Sequence, residues 1–197
     1  MTEGAESGPP GRRFICNSAA VLYIAMSIVA LLWSWLSAGR LLPDSVAGGR
    51  PWESLGLGLA LALAVLIVTG FMMRRRSAMH WFAQEVRKLL GPVDWRMALT
   101  LGLLSGIAEE LLFRGVMQSV LGYVLTSFLF GLLHIGPDRR YLVWTVFAVV
   151  MGLLLGGILL LTGSLLGPIV AHVLVNVVNL RRIGRFEWSG PESPPNT

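Results

Sequence analysis

Long apolar segments separated by short charged stretches constrain this 197-residue chain more than any other feature of its sequence. A helix needs roughly 20 apolar residues to cross the hydrocarbon layer of a bilayer. Charged residues make up only 14% of the chain, whereas a soluble domain carries roughly 25%. The sequence therefore predicts an all-α, multi-pass transmembrane helical bundle, and it excludes both an ordinary soluble domain and a disordered chain. We expect about six spans, at residues 16–38, 55–73, 97–118, 121–135, 141–161 and 165–180.

The positions of the basic residues predict the orientation of these spans. If the N-terminus is cytoplasmic, the outer loops hold only Arg40 and Arg50, which are offset by Asp44 and Glu53. This asymmetry follows the positive-inside rule, so we expect both termini in the cytoplasm, and the short chain with minimal loops suggests a bacterial cytoplasmic membrane. The basic residues that give the net charge of +5 interrupt apolar runs and form no patch interleaved with aromatic residues. We therefore expect a lipid bilayer, and no nucleic acid, as the surroundings of this chain.

The same pattern divides the chain into regions. Residues 74–96 carry apolar residues at helical spacing with charged residues between them, and this predicts an amphipathic helix at the cytoplasmic interface. Two transmembrane helices precede it within residues 16–73, and a helical core that carries the candidate site follows at 97–182. The polar tails, residues 1–15 and 183–197, are expected to be disordered.

A few ionisable and amide residues lie inside spans that are otherwise apolar. Each ionisable group costs at least roughly 2.5–3.5 kcal/mol to insert, so packing alone is a poor reason to retain several of them. The hypothesis is therefore a functional site that faces the interior of the bundle. Its candidate residues are Glu109, Glu110 and Arg114 in the third span, His134 at the end of the fourth, and His172, Asn176 and Asn179 in the sixth.

The spacing of these residues indicates a division of roles. Glu110 and Arg114 stand four positions apart, so they can form an ion pair on one helix face. Glu109 lies about 100° around the helix and is left free for chemistry. A carboxylate in such a site suits a general base, and an imidazole or an amide can donate hydrogen bonds to an oxyanion. A water held between Glu109 and His134 would complete a hydrolytic site.

Other polar residues have simpler interpretations. Asn179 is expected to form a helix–helix hydrogen bond, and Ser105 to serve helix packing, as small residues in membrane helices usually do. A serine-type site at Ser105 is the weaker alternative. His80 belongs to the amphipathic stretch and is expected to be solvated.

Three motifs resemble those of a known family. Residues 109–114 read EExxxR, residues 130–134 read FxxxH, and residues 172–176 read HxxxN, in this order on successive apolar segments. They resemble the CPBP family, also called Abi or CAAX-protease-like intramembrane endopeptidases. The resemblance covers about residues 80–182.

The resemblance implies hydrolysis of a peptide bond in the membrane, in a membrane-embedded or lipid-anchored protein substrate. Glu109 would activate a water together with His134, and His172 with Asn176 would form the oxyanion site. The remaining motif residues, Glu110, Arg114 and Phe130, would support these groups.

The resemblance leaves the role of metal open, because the family has been described both as metal-dependent and as a glutamic protease type. If a zinc ion takes part, Glu109, His134 and His172 are its candidate ligands. The motif HExxH is absent, and the amide of Asn176 is a poor zinc ligand. We therefore expect metal-free chemistry with no cofactor.

Rival interpretations and one geometric difficulty remain at this point. The same fold can serve a non-catalytic membrane chaperone or an immunity-type partner, and buried carboxylates also occur in ion carriers. Straight helices with the expected bounds place Glu109 roughly 18 Å from the start of the third span. His134 would then lie near the cytoplasmic end of the fourth span, too far away to meet it. Either the third helix begins deeper or the fourth is tilted or broken.

Overall fold

The computed structural model describes residues 11–39, 42–75 and 78–185 of the chain. Within these ranges the chain is helical and contains no strand. A π-helical segment, Glu110–Met117, and a short 3₁₀ segment, Arg139–Tyr141, interrupt the α-helices. The α-helices of the described part are α1 (Arg12–Ala38), α2 (Asp44–Ala47), α3 (Pro51–Arg74), α4 (Ala78–Leu90), α5 (Trp95–Glu109), α6 (Gln118–Leu121), α7 (Tyr123–Leu132), α8 (Leu142–Thr162) and α9 (Leu166–Gly184).

Four helices of the described part, α1, α3, α8 and α9, are long and apolar enough to cross a membrane. Their outward faces are apolar as well, with Leu63 and Ile67 each 63% exposed. An apolar outer face suits lipid and would be costly in water. The prediction of an all-α, multi-pass membrane bundle is confirmed, and the protein is an integral membrane protein.

The expected third span consists of three consecutive helical segments. Helix α5, the π-helical segment and α6 follow one another without a gap from Trp95 to Leu121. Asp94 caps the start of α5, where its side chain accepts a 2.8 Å hydrogen bond from the Met97 amide. Within the π-helical segment the turns are wider, and the Gln118 amide donates to the Phe113 carbonyl five residues earlier. The hydrophobic pattern predicts a helix here but gives no sign of this change of helix type.

The fourth expected span, 121–135, requires a correction. Gly122 turns the chain with a φ of 83°, and α7 then extends for only 10 residues, roughly 15 Å, which is too short to cross a bilayer. Glu109 precedes Gly122 by 13 positions and His134 follows it by 12. Both residues border the same interior cavity, so they lie at a similar depth in the bundle. The fourth segment is broken at the level of Glu109, which removes the geometric difficulty.

Helix α9 is central to the bundle because small residues let its neighbours approach closely. A Cβ at Gly58 of α3 would lie 2.3 Å from the Gly167 carbonyl oxygen of α9. A Cβ at Gly106 of α5 would lie 2.6 Å from a methyl group of Val173. Such contacts between small residues are typical of helix packing in membranes. They bring the motif on α9 directly beside the motif that begins on α5.

Helix α4 occupies the expected amphipathic stretch, and its apolar side packs against the bundle. Its Ala83 is fully buried, in a cluster with Met73 and Ile183. Its Phe82 stacks on Trp144 of α8, with 4.5 Å between ring centroids. The apolar side of α4 therefore covers one end of the bundle.

Three expected boundaries shift at the ends of the helices. Residues 12–15, expected in the N-terminal tail, are the first turn of α1, and residues 183 and 184, expected in the C-terminal tail, end α9. Trp95 and Arg96, expected in the amphipathic stretch, begin α5. The rest of the two tails, residues 1–10 and 186–197, lies outside the described residues.

Candidate active site

A cavity of about 340 Å³ lies inside the bundle, bounded by side chains from α1, α3, α4, α5, α7, α8 and α9. Four of the residues expected in the site line it together: Glu109, His134, His172 and Asn176. Glu110 and Arg114 lie behind its wall. Most of the remaining lining is apolar. The polar side chains that complete the lining are Tyr23, Thr69, Ser105 and Asn179.

Glu109, the last residue of α5, presents an unsatisfied carboxylate oxygen. Its side chain is 9% exposed, and Oε2 has no hydrogen-bond partner among the described residues. The nearest charged or titratable nitrogen is Nε2 of His172, at 3.7 Å. A buried oxygen without a partner is costly. It is therefore a natural acceptor for a water or a substrate group that enters the cavity.

Glu110 and Arg114 form the ion pair that their spacing predicts. Both side chains are buried, and Nη1 of Arg114 donates to Oε1 of Glu110 at 2.8 Å. The same oxygen lies 2.7 Å from Nδ1 of His172. The Arg114 guanidinium also lies over the Phe130 ring, 4.3 Å from its centroid. Glu110 thus connects the first motif to His172, which spacing along one helix does not reveal.

His134 follows α7 and is held by the backbone. Its Nδ1 lies 2.8 Å from the Phe130 carbonyl oxygen. A carbonyl oxygen only accepts hydrogen bonds, so Nδ1 carries a hydrogen and Nε2 of the neutral ring keeps its lone pair. The carbonyl of His134 in turn accepts from the Thr145 hydroxyl at 3.1 Å. The turn after α7 therefore offers Nε2 as an acceptor at the cavity.

Phe130 fixes the distance between the two histidines. Its ring centroid lies 4.9 Å from that of His134 and 5.9 Å from that of His172. The ring is 3% exposed and also packs edge-on against Phe113. The phenylalanine of the second motif is thus a spacer between two imidazoles and a surface for Arg114.

Asn176 and Ser105 join α9 to α5. Nδ2 of Asn176 donates to Oγ of Ser105 at 2.9 Å. Ser105 was expected to serve packing, and it does lie in the close α5–α9 contact, but its hydroxyl also holds the amide. Asn179 forms the expected helix–helix hydrogen bond, because Oγ1 of Thr69 donates to its Oδ1 at 3.1 Å.

Tyr23 of α1 is a residue of the site that sequence reasoning missed. It lines the cavity, and its hydroxyl interacts with the Glu109 carboxylate and the Ser105 hydroxyl. Both partners stand more than 80 positions later in the chain. Tyr23 is one aromatic hydroxyl in an apolar run, so no local pattern indicates that it faces them.

His80 also differs from its expected place. It is half-buried, and its Nδ1 lies 3.0 Å from the Met73 carbonyl oxygen at the end of α3. It is therefore attached to the bundle and is not freely solvated.

The side chains proposed for zinc do not form a metal centre in the described part of the chain. No three His, Cys, Asp or Glu residues there converge closely enough to hold an ion.

Comparison with known proteins finds a family model that matches the part of the chain with the three motifs. Residues 91–178 match the family described as type II CAAX prenyl endopeptidase Rce1-like. The uncharacterized protein YpbD of Bacillus subtilis (strain 168) is 33% identical over 134 residues, which cover 63% of this chain and 66% of that protein. The chain thus spans just under two thirds of the relative that it matches. No solved structure matches it.

The match of residues 91–178 to the Rce1-like family model agrees with the order of the three motifs. The matched region contains the residues of all three motifs, and it begins just before α5 and ends within α9. Helix α1, which supplies Tyr23, lies outside it.

Proposed function

We propose that the protein is an intramembrane endopeptidase in which Glu109 activates a water molecule for attack on a peptide bond. The observation that carries this proposal is the unpartnered Oε2 of Glu109 in a cavity that also contains two histidines and an asparagine. The match to the Rce1-like family model supports the same reaction class.

The proposed reaction begins with a water between Glu109 and His134. Glu109 takes a proton from the water, while Nε2 of His134 accepts the second hydrogen as a hydrogen bond and orients the oxygen. The water oxygen bonds to the carbonyl carbon of the substrate and gives a tetrahedral intermediate. When the C–N bond breaks, the protonated Glu109 returns its proton to the leaving amine. Atoms and charge balance without a cofactor.

The developing oxyanion needs hydrogen-bond donors, and the cavity supplies them. Asn176 offers its amide, which Ser105 holds in place. His172 donates to Glu110 from Nδ1, so its Nε2 can donate only while the ring carries both protons. We assign Tyr23 a supporting role, in which its hydroxyl holds the Glu109 carboxylate in the attacking position.

The substrate proposed is a membrane-embedded or lipid-anchored protein. The family description names prenyl endopeptidases, and the apolar part of this cavity suits bulky apolar groups. Phe82 and Val86 of α4, together with Trp144 and Phe147 of α8, form that part of the lining. An apolar lining disfavours a charged, fully hydrated peptide.

The test compares cells that lack the protein with cells that express the wild type, Glu109→Gln, His134→Ala or the matched control His80→Gln. Mass spectrometry of membrane-associated peptides should show the same cleavage products with wild type and control. These products should be absent with the other two variants at equal protein levels. The purified wild type should then cleave a quenched-fluorescent peptide that copies the precursor segment, and purified Glu109→Gln should not.

Two outcomes would favour another function. Wild-type turnover by purified Glu109→Gln would exclude this carboxylate as the base. Full cellular function of Glu109→Gln, with no cleavage product that depends on the protein, would support a non-catalytic chaperone or immunity-type role.

A further inference from the structure

The side-chain amide of Asn179 has a fixed orientation, and its helix–helix hydrogen bond involves only the oxygen of that amide. Its Oδ1 accepts from Oγ1 of Thr69 at 3.1 Å and lies 3.3 Å from Nη1 of Arg182. A guanidinium only donates hydrogen bonds, so the side-chain atom beside it must be the oxygen of the amide. The clamp formed by Thr69 and Arg182 therefore determines which way the amide of Asn179 faces.

This orientation leaves the nitrogen of the amide free. Among the described residues Nδ2 of Asn179 has no hydrogen-bond partner. The nitrogen is not enclosed in the packed core either, because the Nδ2 atom keeps accessible surface. Asn179 and Thr69 both line the cavity. The cavity wall thus contains a held donor group with two hydrogens that no protein atom uses.

The amide of Asn179 lies on α9 close to Asn176 of the candidate active site. Asn179 follows Asn176 by three positions on α9, so the two amides stand roughly 4.5 Å apart along the helix axis and nearly on one face. Aromatic and aliphatic side chains of α4 and α8 line another part of the same cavity. A segment of the cavity therefore combines a row of amide donors with apolar surface.

An extended peptide satisfies both parts of this lining. Its carbonyl groups on one side recur roughly every 6.6 Å, which two amides on adjacent helical turns can reach together. Its side chains can meanwhile contact the apolar surface. Main-chain carbonyls are present in every peptide, so this contact would fix the position of the peptide along the cavity. Selection among substrate side chains would then depend on the apolar surface.

We propose that Asn179 is a substrate-positioning residue, whose Nδ2 donates to a main-chain carbonyl of an extended peptide next to the scissile bond. This inference rests on the proposed endopeptidase function. Thr69 and Arg182 hold the oxygen of the amide so that its nitrogen faces the peptide. The proposed substrate is consequently a segment that is unfolded and extended where it is cut.

The test uses purified Asn179→Asp and Asn179→Ala with the quenched-fluorescent precursor peptide named above. The aspartate keeps an oxygen for Thr69 and Arg182 but cannot donate, whereas the alanine loses both functions. We expect KM to rise about tenfold in both variants, the factor that corresponds to one hydrogen bond, with kcat within about twofold of wild type. A peptide in which the contacted carbonyl is replaced by a methylene group should raise KM for wild type and not further for Asn179→Asp.

A purely structural role gives a different result. In that case Asn179→Asp has the KM of wild type, and only Asn179→Ala is impaired, with a lower melting temperature; this outcome would overturn the inference. Glu109→Gln separates it from the proposed function. If Glu109→Gln is inactive and Asn179→Asp has the KM of wild type, only the positioning role is refuted. If Glu109→Gln is active, both the endopeptidase mechanism and the positioning role are refuted.

Discussion

The buried pair of Glu110 and Arg114 allows stability and activity to be separated. The side chains are 0% and 1% exposed, and their charged atoms approach to 2.8 Å. Removal of one partner from such a pair leaves an uncompensated buried charge and costs roughly 3–5 kcal/mol. Arg114→Leu should therefore be strongly destabilised. At roughly 2–4 °C per kcal/mol for a chain of this size, its melting temperature should fall by roughly 6–20 °C.

The double variant Glu110→Leu with Arg114→Leu supplies the matched control. Replacement of both charges by apolar side chains is often neutral or stabilising, so its melting temperature should return to within a few degrees of wild type. Its activity should not return, because His172 loses the acceptor for Nδ1, which lies 2.7 Å from Glu110. Stability would thus recover while peptide cleavage stays lost.

Thermal unfolding of the purified proteins in one detergent, followed by tryptophan fluorescence, measures the first quantity, and cleavage of the precursor peptide measures the second. The reasoning is refuted if Arg114→Leu melts within about 2 °C of wild type, less than the smallest shift expected for a broken buried pair. It is also refuted if the double variant is as unstable as the single variant. Recovery of cleavage in the double variant would show that Glu110 does not orient His172.

Three further predictions concern packing and the cavity. Gly58→Ala should lower the free energy of unfolding by about 1–3 kcal/mol, because its Cβ would lie 2.3 Å from a carbonyl oxygen of α9. The control Gly56→Ala on the same helix meets no atom within 4 Å and should not lower the melting temperature. Equal melting temperatures of the two variants would contradict the close contact. Tyr23→Phe should lower kcat roughly 10- to 100-fold, the value of one hydrogen bond to a charged group, without loss of stability; unchanged kcat would exclude its action on Glu109. Ser105→Ala should lower kcat only about 2- to 10-fold, because it removes one neutral hydrogen bond from Asn176. Complete loss of cleavage by that variant would instead favour a serine-type site.

Much of the site follows from local sequence patterns. The ion pair of Glu110 and Arg114 was predictable because residues four positions apart meet on one helical turn, and the structure has it. The inward faces of His172 and Asn176 follow from the same periodicity. The match to the Rce1-like family model was predictable because the three motifs are short and each lies within one helix or turn. The depth of His134 in the bundle was not predictable, because it depends on where α7 ends and not on how apolar the residues of α7 are.

The sequence alone indicates that this chain forms a helical membrane bundle, and it predicts that a few polar residues inside the bundle form a site. The cost of placing charges in hydrocarbon makes that conclusion independent of any particular fold. The tertiary structure, by contrast, brings Tyr23, Ser105 and Asn179 into the cavity with Glu109. It also lets Glu110 accept hydrogen bonds from both Arg114 and His172. These relations join helices that are far apart in the chain, and helix rotation and close glycine contacts set them. The periodicity of apolar residues within one segment carries no information on helix rotation or on contacts between helices.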